Sequence, residues 1–352
     1  MFGREKNSNG TSGLQGLYRA FGFSKGYNFF LWFTFAGALL GFTLARLMYL
    51  NIRGVFCGPG SGLSRAAPGE CYHYENFDRY AIGIRLHLFT ILPACLLVVL
   101  QFTPKIRHKA LLFHRIAGYL TILLALVANA GALMIARKAF GGTVATQALV
   151  GTLAIGTTVG LALAYYNIKR LQIDQHRAWM LRTWFYFTSI ITLRIIMIAA
   201  ANILSSPGAG AYFSVQPCAK LLSVLSSSSP DSSARLTTLY PSCTSPSAVA
   251  PVRVNMSGSV LEVMAALNES FGMSGWVALV LHAVGVEVYL HLTPGEARRL
   301  RRVSYERQVG AGFRRPGRAG LVAGHEDVHE GSLVGGEQVE MGKKSGRGGE
   351  EA

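Results

Sequence analysis

The sequence predicts an all-α, polytopic membrane protein: six transmembrane helices, a four-helix core from the second through the fifth, and both termini in the cytosol. Three observations carry this. Of the 352 residues, 50% are hydrophobic and only 15% charged, against a usual charged share of about 25%. Mean hydropathy is +0.31. The apolar residues also collect in runs of about twenty with one or two charges, the length that crosses a hydrocarbon core of ~30 Å at ~1.5 Å per residue. A soluble enzyme, a disordered regulator and a secreted disulfide scaffold are excluded.

The periodic apolar runs place helices over Asn28–Leu50, Tyr80–Thr103, Leu111–Ala136, Thr143–Tyr166, Ala178–Ile203 and Ser274–Leu292. Residues 1–27 read as a cytosolic amino-terminal segment, with Leu14, Leu17, Tyr18, Phe21 and Phe23 suited to the membrane interface. The polar stretch before the first run is too long for the start of a signal peptide, so that run reads as a retained anchor. Residues 28–203 form the five-helix membrane region, 204–273 a Ser-rich non-cytosolic loop, 274–292 the sixth helix, and 293–352 a disordered cytosolic tail, basic and then acidic.

Orientation follows from charge. Segments 1–26, 104–110, 167–177 and 293–320 carry 18 Lys and Arg, and the larger opposite set (51–79, 137–142 and 204–273) carries eight. Basic residues favour the cytosolic side. The formal charge of +16 thus comes from loops and tail, and the basic tail is expected to face anionic lipid headgroups. It lacks the interleaved aromatics of a nucleic-acid surface, so no nucleic-acid partner is expected. The expected location is the plasma membrane or an endomembrane.

Cysteine placement agrees. Cys57 and Cys71 fall in the first non-cytosolic loop and Cys218 and Cys243 in the third, where disulfides persist, and Cys95 lies within a helix. Pairing within each loop closes short rings, although spacing alone leaves cross-loop connectivity open. Asn255 and Asn268 open glycosylation sequons in the third loop. That loop contains several Pro and the run Ser226–Ser229, and it is expected to be irregular.

Ionisable residues at membrane depth are costly and therefore functional candidates. Arg46, Arg85, His87, Arg194 and His282 read as an outer layer; His114, His176 and His291 read as an inner one, roughly 15–20 Å away by helix rise. The structural alternative is that Arg85, Arg115 and Arg182 snorkel to headgroups, that His291 closes a helix end, and that His282 pairs with Glu287.

Two phrases are more distinctive: His114-Arg115-Ile116-Ala117-Gly118, and Asp174 through Arg182, which reads DQHRAWMLR. With Arg85-Leu86-His87 and Gln101, they resemble the predicted-membrane-protein family called domain-of-unknown-function family 2306, over roughly residues 80–203. The resemblance implies a shared membrane core and supplies no activity.

Three functions fit these residues. The first is transmembrane electron transfer through haem b, with His114 and His176 as axial ligands and Arg115, Arg177 and Arg182 meeting propionates. An outer site would use His87 and His282 near Arg46 and Arg194. The second is a metal-dependent membrane hydrolase with Asp174, His176 and His114 around one ion. The third is a transporter or non-catalytic scaffold whose polar residues order helix packing, with Gly37-x-x-x-Gly41 and Gly156-x-x-x-Gly160 as close-approach motifs. The sequence does not decide whether the chain is an enzyme.

Overall fold

A computed structural model describes residues 11–58, 65–209, 211–226 and 231–317. The helices are α1 (Thr11–Ala20), α2 (Gly26–Leu44), α3 (Glu70–Asn76), α4 (Asp78–Gln101), α5 (Pro104–Lys109), α6 (Leu111–Ile135), α7 (Val144–Lys169) and α8 (Ile173–Leu204). A strand β1 (Phe213–Pro217), helices α9 (Cys218–Ser226) and α10 (Ser232–Leu239), and a strand β2 (Val249–Arg253) follow, before α11 (Val260–Leu292) and α12 (Pro294–Gly310). Six helical segments are long and apolar enough to span a membrane: Gly26–Leu50, Asp78–Gln101, Leu111–Ile135, Val144–Lys169, Ile173–Leu204 and Val260–Leu292. They correspond one for one to the predicted spans.

The chain divides into two compact units, Met1–Thr158 with Phe185–Ala283, and Val159–Trp184 with Val284–Ala352. Helices α7, α8 and α11 contribute to both. In the first unit, α4 and α6 approach closely at Gly83 and Gly131. A Cβ on Gly131 would stand 2.6 Å from the His87 nitrogen, and one on Gly83 would stand 2.8 Å from the Met134 Cβ. Only glycine permits that approach. Gly272 likewise lets α11 meet α7, where an added Cβ would lie 2.8 Å from the Thr146 nitrogen. The glycine pairs expected from spacing behave differently. Gly37, Gly41 and Gly156 have nothing within 4 Å of an added Cβ, and only Gly160 faces a neighbour, Thr183. The spacing identifies a helix face without saying whether another helix covers it.

The Ser-rich loop departs from expectation. Among its described residues, β1 and β2 pair antiparallel from Phe213 opposite Arg253 to Pro217 opposite Val249. Their inward residues alternate with exposed ones, and Ala250 and Val252 join Cys218, Leu221, Val224, Leu225, Leu236 and Cys243 in a closed core. Here period-2 alternation replaces the helical pattern, and a disulfide fixes segments too short to bury a core alone. Part of the run Ser226–Ser229 lies outside the described residues.

The same core explains why α11 begins fourteen residues before the predicted sixth span. Leu261, Met264, Ala265 and Ala266 are fully buried against the loop core, so the first turns of α11 belong to the extramembrane cap. Asn268 is 1% exposed within this helix, which corrects its reading as a glycan acceptor, because oligosaccharide transfer needs an accessible side chain. Asn255 sits half-buried in a turn, its Oδ1 accepting from the Ser257 amide at 3.0 Å.

The tail also departs from expectation. Residues 294–310 form α12, while the acidic stretch beyond 317 lies outside the described residues. Pro at its first turn and Glu296 there suit a helix start.

Candidate functional site

Four polar contacts between membrane helices engage His87, Gln101 and His176 of the distinctive phrases, together with Asn129. In the first unit, His87 on α4 donates its Nδ1–H to the Ala128 carbonyl of α6 at 3.0 Å. Further along the same helix pair, Gln101 donates Nε2–H to the His114 carbonyl of α6 at 3.1 Å. Gly118, four residues after His114, leaves room beside the Gln101 Oε1. The His114 backbone of the His-Arg-x-x-Gly phrase thus receives a glutamine from the preceding membrane helix. Asn129 on α6 donates to Thr157 at 2.9 Å and Thr158 at 3.1 Å on α7.

In the second unit, His176 on α8 donates its Nδ1–H to the Ala164 carbonyl of α7 at 2.9 Å. The chain enters α8 through Leu171, held at φ 58°, with the Gln172 amide bonded to the Asn167 carbonyl and the Leu171 amide to the Ile168 carbonyl. This left-handed cap ends α7 cleanly. Helix-interior carbonyls have a second lone pair, so each of these bonds adds to the helix ladder without replacing one of its members.

The remaining predicted residues are distributed as follows. His282 donates Nδ1–H to the Phe185 carbonyl at 2.7 Å, and its Nε2 accepts from the Thr192 hydroxyl at 2.8 Å. Both ring nitrogens are engaged, so in this arrangement His282 presents none to an iron and no outer pair forms with His87. Glu287 does not join His282 either. Five residues along a helix rotate a side chain by ~140°, and Glu287 instead holds Arg182 through two bonds at 2.6 and 3.0 Å. Arg182 lies over the Trp179 ring, and Arg177 reaches the Tyr289 hydroxyl at 3.3 Å. His291 donates to the Glu287 carbonyl at 2.8 Å, the end-of-helix role that the structural alternative gives it. Arg46 stacks over Phe42 and Tyr49; Arg115 and Arg85 are exposed on their helices. His114 is half-buried on α6 in the first unit.

Asp174 accepts from the Ser304 hydroxyl at 3.2 Å and from Gln175 at 3.2 Å. Among the described residues, no three His, Cys, Asp or Glu side chains converge in a set able to hold a metal ion. The donor set for the hydrolase reading is therefore not assembled there.

Both predicted disulfides form, Cys57–Cys71 and Cys218–Cys243, each with a Cα separation of 5.5 Å. Beside them lies a charged cluster that sequence reading misses. Glu70, 3% exposed, accepts from the Phe140 amide at 2.9 Å and from the Tyr74 hydroxyl at 3.1 Å. Burial raises its pKa, and the nearby cation of Lys220 opposes that rise. Lys220 is itself 1% exposed, with a pKa lowered by burial and supported by Glu70. His73, buried next to Lys220 and Lys138, is pushed down to about 4. Phe140 holds the strained φ of 47° in the α6–α7 turn and stacks on Phe271 at 4.1 Å, with the Arg194 guanidinium 4.6 Å from its ring centre. The one signal in the sequence is positional: Glu70 adjoins Cys71, and Lys220 lies two residues from Cys218.

Residues 84–224 match the family of predicted membrane proteins DUF2306. The match contains Gln101 and the His114 and His176 phrases, and it runs past the fifth span to include Cys218 and Lys220. DUF2306 thus covers the stapled helices and part of the disulfide-braced cap. With six apolar helices in addition to that match, the chain is an integral, multi-pass membrane protein. It is also similar to "Ava biosynthesis cluster protein G" of Aspergillus versicolor, 23% identical over 335 residues that cover 77% of this chain and 90% of that protein. No solved structure matches.

Proposed function

We propose that this is a non-catalytic membrane scaffold or transporter that serves small-molecule biosynthesis, with both termini in the cytosol and the disulfide-braced cap on the opposite side. One observation carries the non-catalytic reading: the polar motif positions of the DUF2306-matching region tie helix to helix through backbone carbonyls. The outer-layer His282 and the Arg182–Glu287 pair are likewise satisfied by protein groups. Such a set fixes bundle geometry. The biosynthetic context comes from the name of the Aspergillus versicolor relative, and the orientation from the basic asymmetry of the loops.

The test uses a fungal host that makes a small molecule and carries this gene. Deletion should trap the finished product inside the cells if the protein transports, or lower its yield without removing any chemical step if it scaffolds. Conversion of a pathway intermediate by the purified protein overturns the reading.

A second reading, haem b with His176 as an axial ligand, is supported by the ring orientation of His176. A backbone acceptor at Nδ1 is what commonly fixes the tautomer of a metal-ligating imidazole, and His176 has one in Ala164. Haem bound there would supply one-electron transfer through the bilayer. Absorption spectra of purified protein, oxidised and reduced, decide it. A Soret band lost in His176→Ala supports haem, and colourless protein after expression with ample haem rejects it.

A further inference from the structure

The tail after the last span is an ordered helix docked by polar contacts, and those contacts set its charged surface. Helix α12 begins two residues after α11 ends at Leu292, so it emerges at the membrane surface. Its buried stripe is Leu300, Ser304 and Gln308, spaced by four. Ser304 accepts from the Ile173 amide at 2.9 Å and donates to Asp174. Gln308 donates to the Arg170 carbonyl at 2.8 Å and its Oε1 accepts from the Gly317 amide at 2.7 Å. These bonds seat α12 on the α7–α8 turn, which itself carries Lys169 and Arg170.

The helix has five arginines and two glutamates. The glutamates are used within it, Glu296 by Arg299 and Glu306 by Arg302. Among the described residues, Arg298, Arg301 and Arg307 have no carboxylate partner; Arg298 and Arg307 are exposed, and the Arg301 Nε is buried with no hydrogen-bond acceptor. Arg298 and Arg301 are three residues apart on one face of the first turns after the span, with their counter-charge missing, whereas Arg307 lies ~13 Å further along and on the opposite side of the helix. Guanidinium forks suit phosphate oxygens, and the nearest abundant phosphates at the end of a span are those of lipids.

We infer that Arg298 and Arg301, presented by the docked helix α12, form a binding site for the phosphate headgroup of an anionic phospholipid. The inference stands whether the protein transports, scaffolds or carries electrons. It differs from the general attraction of a basic tail, because a docked site depends on Ser304 and Gln308, which bear no charge.

The experiment titrates the full chain in a neutral detergent with phosphatidylserine, with phosphatidylcholine and with inorganic phosphate, counting bound ligand by native mass spectrometry. The wild type should bind phosphatidylserine in preference to the other two, more weakly at high salt. A basic residue at an anionic surface contributes about fivefold, so R298Q/R301Q should lose affinity by about 25-fold. S304A/Q308A keeps every charge and should also weaken binding by several-fold. Unchanged elution and thermal stability of both variants show that they fold. Equal binding of phosphatidylcholine, equal binding of inorganic phosphate, or an unaffected R298Q/R301Q variant overturns the site. An R298Q/R301Q variant that loses binding while S304A/Q308A retains it overturns the docked geometry.

Discussion

Removing Glu70 tests how the extramembrane cap is held on the helices. The Glu70→Ala change strips the acceptor from the Phe140 amide and the Tyr74 hydroxyl, and it leaves Lys220, 1% exposed, without its main opposing charge. Each orphaned buried group costs about 1–3 kcal/mol, so the two lost hydrogen bonds together cost about 2–6 kcal/mol. The net expectation is about 3–5 kcal/mol, which at about 2–4 °C per kcal/mol lowers the thermal midpoint in detergent by about 10 °C. Lys220→Met alone should destabilise by a comparable amount for the mirror reason. Combined as Glu70→Gln with Lys220→Met, both charges go while the amide keeps an acceptor for Phe140. That double variant should recover at least half of the summed single losses. Strict additivity of Glu70→Gln and Lys220→Met, each also measured alone, or a Glu70→Ala midpoint within about 1 °C of wild type, refutes the coupling.

Four further outcomes follow from the same geometry. Cys57–Cys71 and Cys218–Cys243 span 14 and 25 residues; by loop-closure entropy their removal costs about 3.0 and about 3.5 kcal/mol, and non-reducing peptide maps should show both links with Cys95 alkylated only after denaturation. His73 gives the cap an acid limit: its folded pKa of about 4 lies below the ordinary 6.5, so its contribution is complete above pH 6.5 and fades as pH falls through 4. Glu70 works in the opposite sense, because its raised pKa favours the fold below 4.5 and withdraws that support as pH rises; His73→Gln should therefore remove the acid-side decline and leave the Glu70 trend. His282→Ala should cost about 1–3 kcal/mol by orphaning the Thr192 hydroxyl, and a changed absorption spectrum in that variant would contradict its packing role. Expression with glycosidase treatment should show a shift lost in Asn255→Gln and unaffected by Asn268→Gln, and an unglycosylated wild type would argue against a non-cytosolic third loop.

The membrane helices are legible because lipid imposes one rule on every span: twenty apolar residues with internally bonded backbone. The cap is hidden because its elements are short and its core is closed by cysteine, so no single segment advertises a buried face. Residues 260–273 illustrate the ambiguity. Glu262, Asn268, Glu269 and Ser270 look like loop when judged against lipid, yet Leu261, Met264, Ala265 and Asn268 share the buried stripe of one helix. The yardstick there is a protein core, where polarity is tolerated on the other face. The candidate site is obscured for a related reason. His87, His176 and His282 stand out by residue type and depth, which are the same for an iron ligand and a helix staple. What separates the two is the partner of each ring nitrogen, a property of the neighbouring helix that no single-chain pattern encodes.

Glu70 and Lys220 show that distance along the chain hides chemistry as effectively as short elements do. They are 150 residues apart, and nothing local marks either as buried, since an isolated Glu or Lys in a loop is normally solvated. Yet each sits within two residues of a half of a different disulfide, Cys71 and Cys218. Each link anchors one of these groups, which lie close enough to influence each other's ionisation beside the strained Phe140 turn that joins α6 to α7. Each disulfide fixes a loop that carries one of the two buried groups, so the links and the burial of Glu70 and Lys220 support one another. The cap should therefore close cooperatively. Loss of either disulfide should expose Glu70 and Lys220 together, which hydrogen exchange at the Phe140 amide would register from both sides.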